Sequence, residues 1–154
     1  LAEQVMLMVS ATLGDTLGFS RARDYALEHW LADLPQPPKW VDGSGLSRYN
    51  LISPASLVAL LGKLHREIPQ ERLFTLMAKG GGTGTLRNWY REKPEPYVFG
   101  KTGSLSNNHN LCGYLKTRSG KILVFSFMNN HYRKPSRIVK SRMQGILNWV
   151  RDHY

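Results

Sequence analysis

Two stretches of the chain carry residue types and spacings that can do chemistry. The first is Lys101-Thr102-Gly103, inside Pro96-Tyr-Val-Phe-Gly-Lys-Thr-Gly-Ser-Leu105. Aromatic and β-branched residues from Pro96 to Phe99 read as a strand. Gly100 and Gly103 bracket the Lys-Thr pair, and glycine within a strand marks a bulge or a close approach by another backbone or a ligand. A strand offering backbone groups, an ammonium and a hydroxyl suits an extended ligand that ends in a carboxylate. The second stretch is Asp42-Gly-Ser-Gly-Leu-Ser-Arg-Tyr-Asn50. Here Ser47 and Asn50 offer a hydroxyl that can relay a proton and a carboxamide that can hold an amide. The competing reading is that Asp42, Ser44 and Asn50 are ordinary turn and cap residues.

Other candidates are weaker. Gly80-Gly-Gly-Thr-Gly84 has the glycine density of a phosphate cradle but lacks the Lys-Ser/Thr ending, and it reads as a flexible turn. His29, His65, His109, His131 and His153 show no metal-ligand spacing. His109, near Lys101-Thr-Gly103, reads either as a site residue or as the structural start of the next strand. Cys112 is the single cysteine. It excludes an internal disulfide and a cysteine-based zinc cluster, and its neighbours Leu111 and Gly113 suggest a small buried residue. No cofactor and no metal is expected.

Helices and an antiparallel meander must position these residues. Val5, Met6, Val9 and Leu13 recur at helical spacing before Gly14. A second helix capped by Ser20 places Ala26, Leu27, Trp30, Leu31 and Leu34 on one side, ending at Pro35. Ser53-Pro54 forms a cap and first-turn pair for a third helix with Leu57, Leu60, Leu61 and Leu64 inward. A short helix follows over Gln70 to Met77. After the glycine-rich turn and the Lys101 strand, Leu111–Lys116 and Lys121–Met128 read as two more strands joined by a turn at Thr117–Gly120. The apolar run Ile122–Met128 suggests a central strand. Pro135-Ser136 opens a last helix with Ile138, Val139, Met143, Ile146, Leu147 and Val150 inward. Helices, then a meander, then a covering helix make an α+β fold.

The 154 residues suffice for one domain or part of one. No run approaches the roughly 20 apolar residues of a membrane helix. Twenty-one basic residues against eleven acidic give a formal charge of +10, so a polyanionic partner is one option. The basic residues are scattered, and their bland reading is a solvated face. The chain opens at Leu1-Ala-Glu-Gln, already in a helical pattern, as a segment cut from within a longer protein would.

Taken together, the Asp42–Asn50 block, Gly100-Lys-Thr-Gly-Ser-Leu105, Leu1-Ala-Glu-Gln, Gly84-Thr-Leu86 and Leu111-Cys-Gly-Tyr114 resemble the penicillin-binding proteins of the D-alanyl-D-alanine carboxypeptidase/endopeptidase type. The resemblance covers nearly the whole chain, in order. It implies residues 1–154 as a single C-terminal fragment of the serine β-lactamase/DD-peptidase (transpeptidase-like) domain. It also implies acyl transfer on peptidoglycan stem peptides ending in D-Ala-D-Ala, and β-lactam binding by the complete protein. By the same resemblance Ser47 and Lys101 are catalytic, while Asn50, Thr102, Gly103 and Ser104 hold substrate. Ser47 passes a proton to the leaving amine, and the Ser104 N–H forms half of an oxyanion hole. The spacing Ser-Arg-Tyr-Asn is one residue longer than the superfamily's Ser-x-Asn. No Ser-x-x-Lys occurs anywhere in the chain, so the nucleophile motif is absent and the chain alone is expected to be inactive.

The implied location is the bacterial envelope, periplasmic or extracytoplasmic. Strands missing from the N-terminal side would leave an exposed sheet edge and promote self-association. Two rival readings are a non-catalytic module that holds peptidoglycan or a partner, and a basic nucleic-acid binder. No nucleic-acid-binding signature supports the latter, and no nucleic acid is expected as a partner.

Overall fold

The computed structural model describes residues 1–14, 17–92 and 94–154. They form two compact units, Leu1–Leu60 and Leu61–Tyr154.

In the first unit, α1 (Ala2–Thr12) and α2 (Phe19–His29) precede an irregular segment closed by an antiparallel bridge between Lys39 and Leu51. The buried position of α1 is Ser10, not an apolar residue, and its hydroxyl accepts the Gly18 N–H at 2.9 Å. Val5, one of the residues at helical spacing, is exposed. Helix α2 starts from Gly18 rather than Ser20 and stops at His29. Its termination comes from Leu31, whose N–H reaches back to the Ala26 carbonyl at 2.9 Å and closes a wider turn. Trp30, Leu31 and Leu34 therefore lie beyond the helix. Helix α3 (Pro54–Glu67) begins as expected, with Ser53 Oγ accepting the Ser56 N–H at 3.1 Å.

The second unit takes the rest of α3 and adds α4 (Gln70–Thr75), β1 (Ala78–Lys79), a 3-10 turn at Gly84–Leu86, β2 (Val98–Leu105), β3 (Asn108–Lys116), β4 (Ile122–Asn129) and α5 (Ser136–His153). The sheet is fully antiparallel in the order β1-β2-β3-β4. It has four strands where the sequence suggests three. The extra one, β1, immediately precedes the glycine run read as a flexible turn.

One face of the sheet packs on α5, through Val98, Leu111, Leu115, Met143 and Leu147. The other face packs on Leu61, Leu73 and Phe74, with Phe99 and Tyr114 from the strands. The Tyr114 hydroxyl donates to the Leu61 carbonyl at 2.8 Å. Each large apolar side chain buried in these layers contributes about 1.5–3 kcal/mol.

Strand β4 is an edge, not a central strand. Its nearly continuous apolar run, interrupted only at Ser126, has another cause: both faces are covered, Leu123, Phe125 and Phe127 meeting the α5 layer, and Ile122 and Val124 the opposite one. On α5, Met143 and Leu147 are buried, while Ile138 and Ile146 sit at the margin of the stripe and are exposed. Buried Arg151 fastens the end of α5, pairing with Glu92 at 2.6 Å and Asp152 at 2.9 Å and lying over the Tyr97 ring.

Candidate active site

The Lys-Thr-Gly segment lies in the middle of β2. Strand alternation divides it between two faces. Phe99 belongs to the α4-side layer, so Lys101 and Gly103 face that side. Val98 belongs to the α5-side layer, so Thr102 and Ser104 face the other.

Backbone direction adds a second division. The Val98 carbonyl accepts from Gly80 N–H at 2.9 Å on the β1 side, while the Tyr97 carbonyl accepts from Lys116 N–H at 2.8 Å on the β3 side. Alternation along β2 then turns the N–H and C=O groups of Thr102 and Ser104 toward the β1 side. Pairing with β1 stops at Gly100. Among the described residues, no strand covers the Thr102–Leu105 edge. Lys101 Nζ donates to the Thr102 carbonyl at 2.6 Å across this edge.

The Thr102 and Ser104 side chains line a cleft of about 560 Å³ together with Thr85, Arg87, His109 and Lys140. Thr102 Oγ1 donates to Thr85 Oγ1 at 2.8 Å. Ser104 Oγ lies 2.7 Å from His109 Nδ1. Burial, and secondly the Lys140 charge, push the His109 imidazole below its ordinary value. Hydroxyls beside cations, with unpaired backbone amides along the rim, form a site for an anion on an extended chain. Among the described residues, no cluster of side chains could hold a metal ion.

Ser47 and Asn50 belong to the first unit, and Lys101, Thr102, Gly103 and Ser104 to the second. Their loop is organised by Asp42. One carboxylate oxygen accepts from Gly45 N–H at 3.0 Å and Asn50 Nδ2 at 2.6 Å; the other accepts from Ser44 Oγ at 2.8 Å and Ser47 N–H at 3.1 Å. Asn50 Oδ1 accepts the N–H groups of Val41 at 2.8 Å and Asp42 at 3.3 Å. Glu3 Oε1 holds the N–H groups of Gly43 and Ser44. Ser47 Oγ accepts the Tyr49 N–H at 3.2 Å. What remains for a ligand is the Ser47 hydroxyl hydrogen and one N–H of Asn50. This network supports a turn-holding role for Asn50 more directly than a substrate role.

Asn50, more than its other donors, holds the Asp42 carboxyl below its usual 3.8. A depressed folded-state pKa means that the charge-linked stability is present above the unfolded value and is lost as pH falls through the folded one. The loop amides from Val41 to Asn50 are therefore expected to gain exchange from about pH 4 downward. Asp42→Asn should loosen them already at pH 7. Amide spectra that are unchanged in this variant would refute the Asp42-centred account.

Sequence reasoning passed over Thr85 as a site residue and left Lys140 among the scattered basic residues. Thr85 sits in Gly84-Thr-Leu86, one of the stretches that carried the resemblance. Lys140 has no local signal, because it reaches the cleft from a helix that begins at Ser136.

A family profile, that of the D-Ala-D-Ala carboxypeptidase 3 (S13) family, matches residues 37–150. The chain belongs to this family. The matched span contains both the Asp42–Asn50 loop and the Lys101-Thr-Gly103 strand. Among relatives of this S13 chain, carboxypeptidase DacB of Mycolicibacterium smegmatis is 29% identical over 116 residues, covering 71% of this chain and 25% of that protein. D-alanyl-D-alanine carboxypeptidase DacB of Haemophilus influenzae is 28% identical, covering 73% of this chain and 24% of that protein. The chain thus spans about a quarter of the length of these relatives.

The S13 fold is also seen in penicillin binding protein 4 (dacB) from Haemophilus influenzae complexed with a β-lactam. Its TM-score is 0.85 at 20% identity, with 99% of this chain and 38% of that chain covered. A predatory endopeptidase from Bdellovibrio bacteriovorus in complex with an immunity protein matches at TM-score 0.66 and 20% identity, covering 96% and 40%. The α+β architecture expected from the sequence is therefore that of the penicillin-binding carboxypeptidases.

Proposed function

We propose that this S13 chain is the substrate-holding part of a serine-type D-Ala-D-Ala carboxypeptidase or endopeptidase of the bacterial envelope, acting on peptidoglycan stem peptides. Its two units are parts of one transpeptidase-like domain. The observation that carries this reading is the open β2 edge at Thr102–Ser104, with hydroxyls and a cationic cleft beside it. An extended peptide adds to such an edge through main-chain hydrogen bonds. Its terminal carboxylate meets Thr102, and its scissile carbonyl oxygen meets the Ser104 N–H as half of an oxyanion hole.

Packing does not require glycine at position 103: a Cβ there, on the face opposite the cleft, would meet nothing within 4 Å. Lys101 supplies positive potential along the edge. Ser47 and Asn50, in the first unit, keep the roles that the family resemblance implies for the complete enzyme: proton transfer to the leaving amine and a hold on the peptide amide. The nucleophile is not among these residues, since no Ser-x-x-Lys is present. The chain therefore binds without cleaving, and a fluorescent penicillin leaves no covalent adduct on it by denaturing mass measurement.

Calorimetry tests the binding. An acylated peptide ending in D-Ala-D-Ala is expected to bind, its amide-capped counterpart at least about tenfold more weakly because a site built for a carboxylate is left with unpaired polar groups, and its L-Ala-terminated counterpart also more weakly because the inverted Cα turns the carboxylate away from Thr102. Equal binding of the three sinks the proposal. We further propose self-association through the exposed edge of β4; sedimentation at the monomer mass contradicts it.

A further inference from the structure

We propose that His109 is a positioning residue that sets the direction of the Ser104 hydroxyl, and so couples capture of an anionic group in the cleft to the proton on its own Nδ1. The inference rests on the carboxylate reading above, and deepens it.

Ser104 and His109 are direct partners across β2 and β3. The register leaves the exposed hydroxyl backed by a buried imidazole, 5% accessible, at 2.7 Å from Nδ1. A hydroxyl has one hydrogen. If Nδ1 accepts, that hydrogen points at the ring, and Ser104 shows only lone pairs to the cleft. If Nδ1–H donates, the Ser104 hydrogen is free for a carboxylate. An anion in the cleft therefore selects the Nδ1–H state, either as the neutral tautomer or as the imidazolium. The tautomer shift takes up no proton; through the imidazolium, which the anion's charge favours, binding and protonation are linked reciprocally.

The groups around the ring fit this role. Lys140 of α5 is the cation beside it, and Arg87 lines the same cleft from the 84–90 segment. Strand β2 contributes the uncharged Thr102 and Ser104. From β4, Asn129 opposes His109 in register and donates to its main-chain carbonyl at 3.3 Å. Among the described residues, no carboxylate lines the cleft. Two cations and no anion keep the empty cleft's imidazole neutral at pH 7, and an incoming carboxylate reverses that balance.

The test uses the 154-residue chain labelled with ¹⁵N at histidine, the imidazole nitrogens being read by long-range NMR between pH 5 and 8. Ser104→Ala, at an exposed position, is expected to move the His109 nitrogen shifts, and an unchanged His109 signal overturns the proposal. N-acetyl-D-alanine is expected to shift Nδ1 toward its protonated position in the native chain and to bind roughly fivefold or more tightly at pH 5.5 than at pH 8. His109→Leu should lose both the extra affinity and the pH dependence, whereas His109→Asn, whose amide donates from near the Nδ1 position, should keep the affinity without the pH dependence. Binding by His109→Leu with native affinity and native pH dependence overturns the proposal while leaving the carboxylate reading intact. Failure of N-acetyl-D-alanine to bind the native chain, with the Ser104→Ala shift present, overturns the carboxylate reading and the coupling, and leaves the Ser104–His109 pairing standing.

Discussion

Gly113→Ala is expected to unfold the second unit or to cost it about 4 kcal/mol or more, the range reserved for a named core defect. A Cβ at Gly113 would lie 2.1 Å from the Phe99 carbonyl oxygen and 2.6 Å from Gly100 Cα. Both are backbone atoms of β2, so no side-chain rotation relieves the clash. Gly113 and Gly100 are direct partners in the β2–β3 register, and Gly100 is equally restricted, its Cβ falling 2.7 Å from the Cys112 carbonyl oxygen. This glycine pair lets the two strands close on each other one residue before Lys101. Pushing them apart would move the whole Lys101–Ser104 segment relative to the cleft. Gly103→Ala is the control, with no atom in the way and a cost within about 0.5 kcal/mol. Thermal melts should separate the two by roughly 10 °C or more. A Gly113→Ala chain that melts with the parent would refute this view of the strand pair.

The elements that were legible in the sequence are those whose signals are local. Ser53-Pro54 announces the start of α3, and the Met143–Leu147 stripe announces α5. The turn between β3 and β4 is announced by Thr117–Gly120, where Thr117 Oγ1 accepts the Lys121 N–H and Gly120 takes a positive φ. What was hidden depends on partners distant in sequence. Strand β1 is two residues among glycines and exists because Gly80 and Ala78 meet β2. The start of β3 at Asn108 was masked because Asn108-His-Asn110 is polar and the apolar run begins at Leu111. The better signal was Asn107, which takes φ 61° in a two-residue hairpin. That hairpin sets the register that puts His109 against Ser104.

The site was legible by residue type and less so by geometry. Lys101, Thr102 and Ser104 were identified together, yet alternation sends Lys101 to one face of the sheet and the two hydroxyls to the other. Asp42 read as a turn residue. Its carboxylate holds the loop through Gly45, Ser44, Ser47 and Asn50, a network that no spacing rule reveals.

The second large effect concerns the β2 edge. Among the described residues, its even-numbered backbone groups beyond Gly100 have no strand partner, whereas the odd-numbered groups are already in the β2–β3 ladder. A peptide that adds to this edge must therefore protect a particular subset of amides, Thr102 and Ser104, and leave Lys101 and Gly103 as they were. At a ligand concentration a hundred times Kd, protection of an amide that exchanges only from the free state rises about a hundredfold. A peptide that merely sat in the cleft through its charge would protect no such alternating pair.

Amide hydrogen exchange, resolved by residue and measured with and without a saturating acylated D-Ala-D-Ala peptide, therefore tests the central claim most directly. The account predicts slowed exchange at Thr102 and Ser104 with little change at Lys101 and Gly103. Saturable binding that leaves Thr102 and Ser104 unprotected, or that confines protection to the Asp42–Asn50 loop, would contradict it.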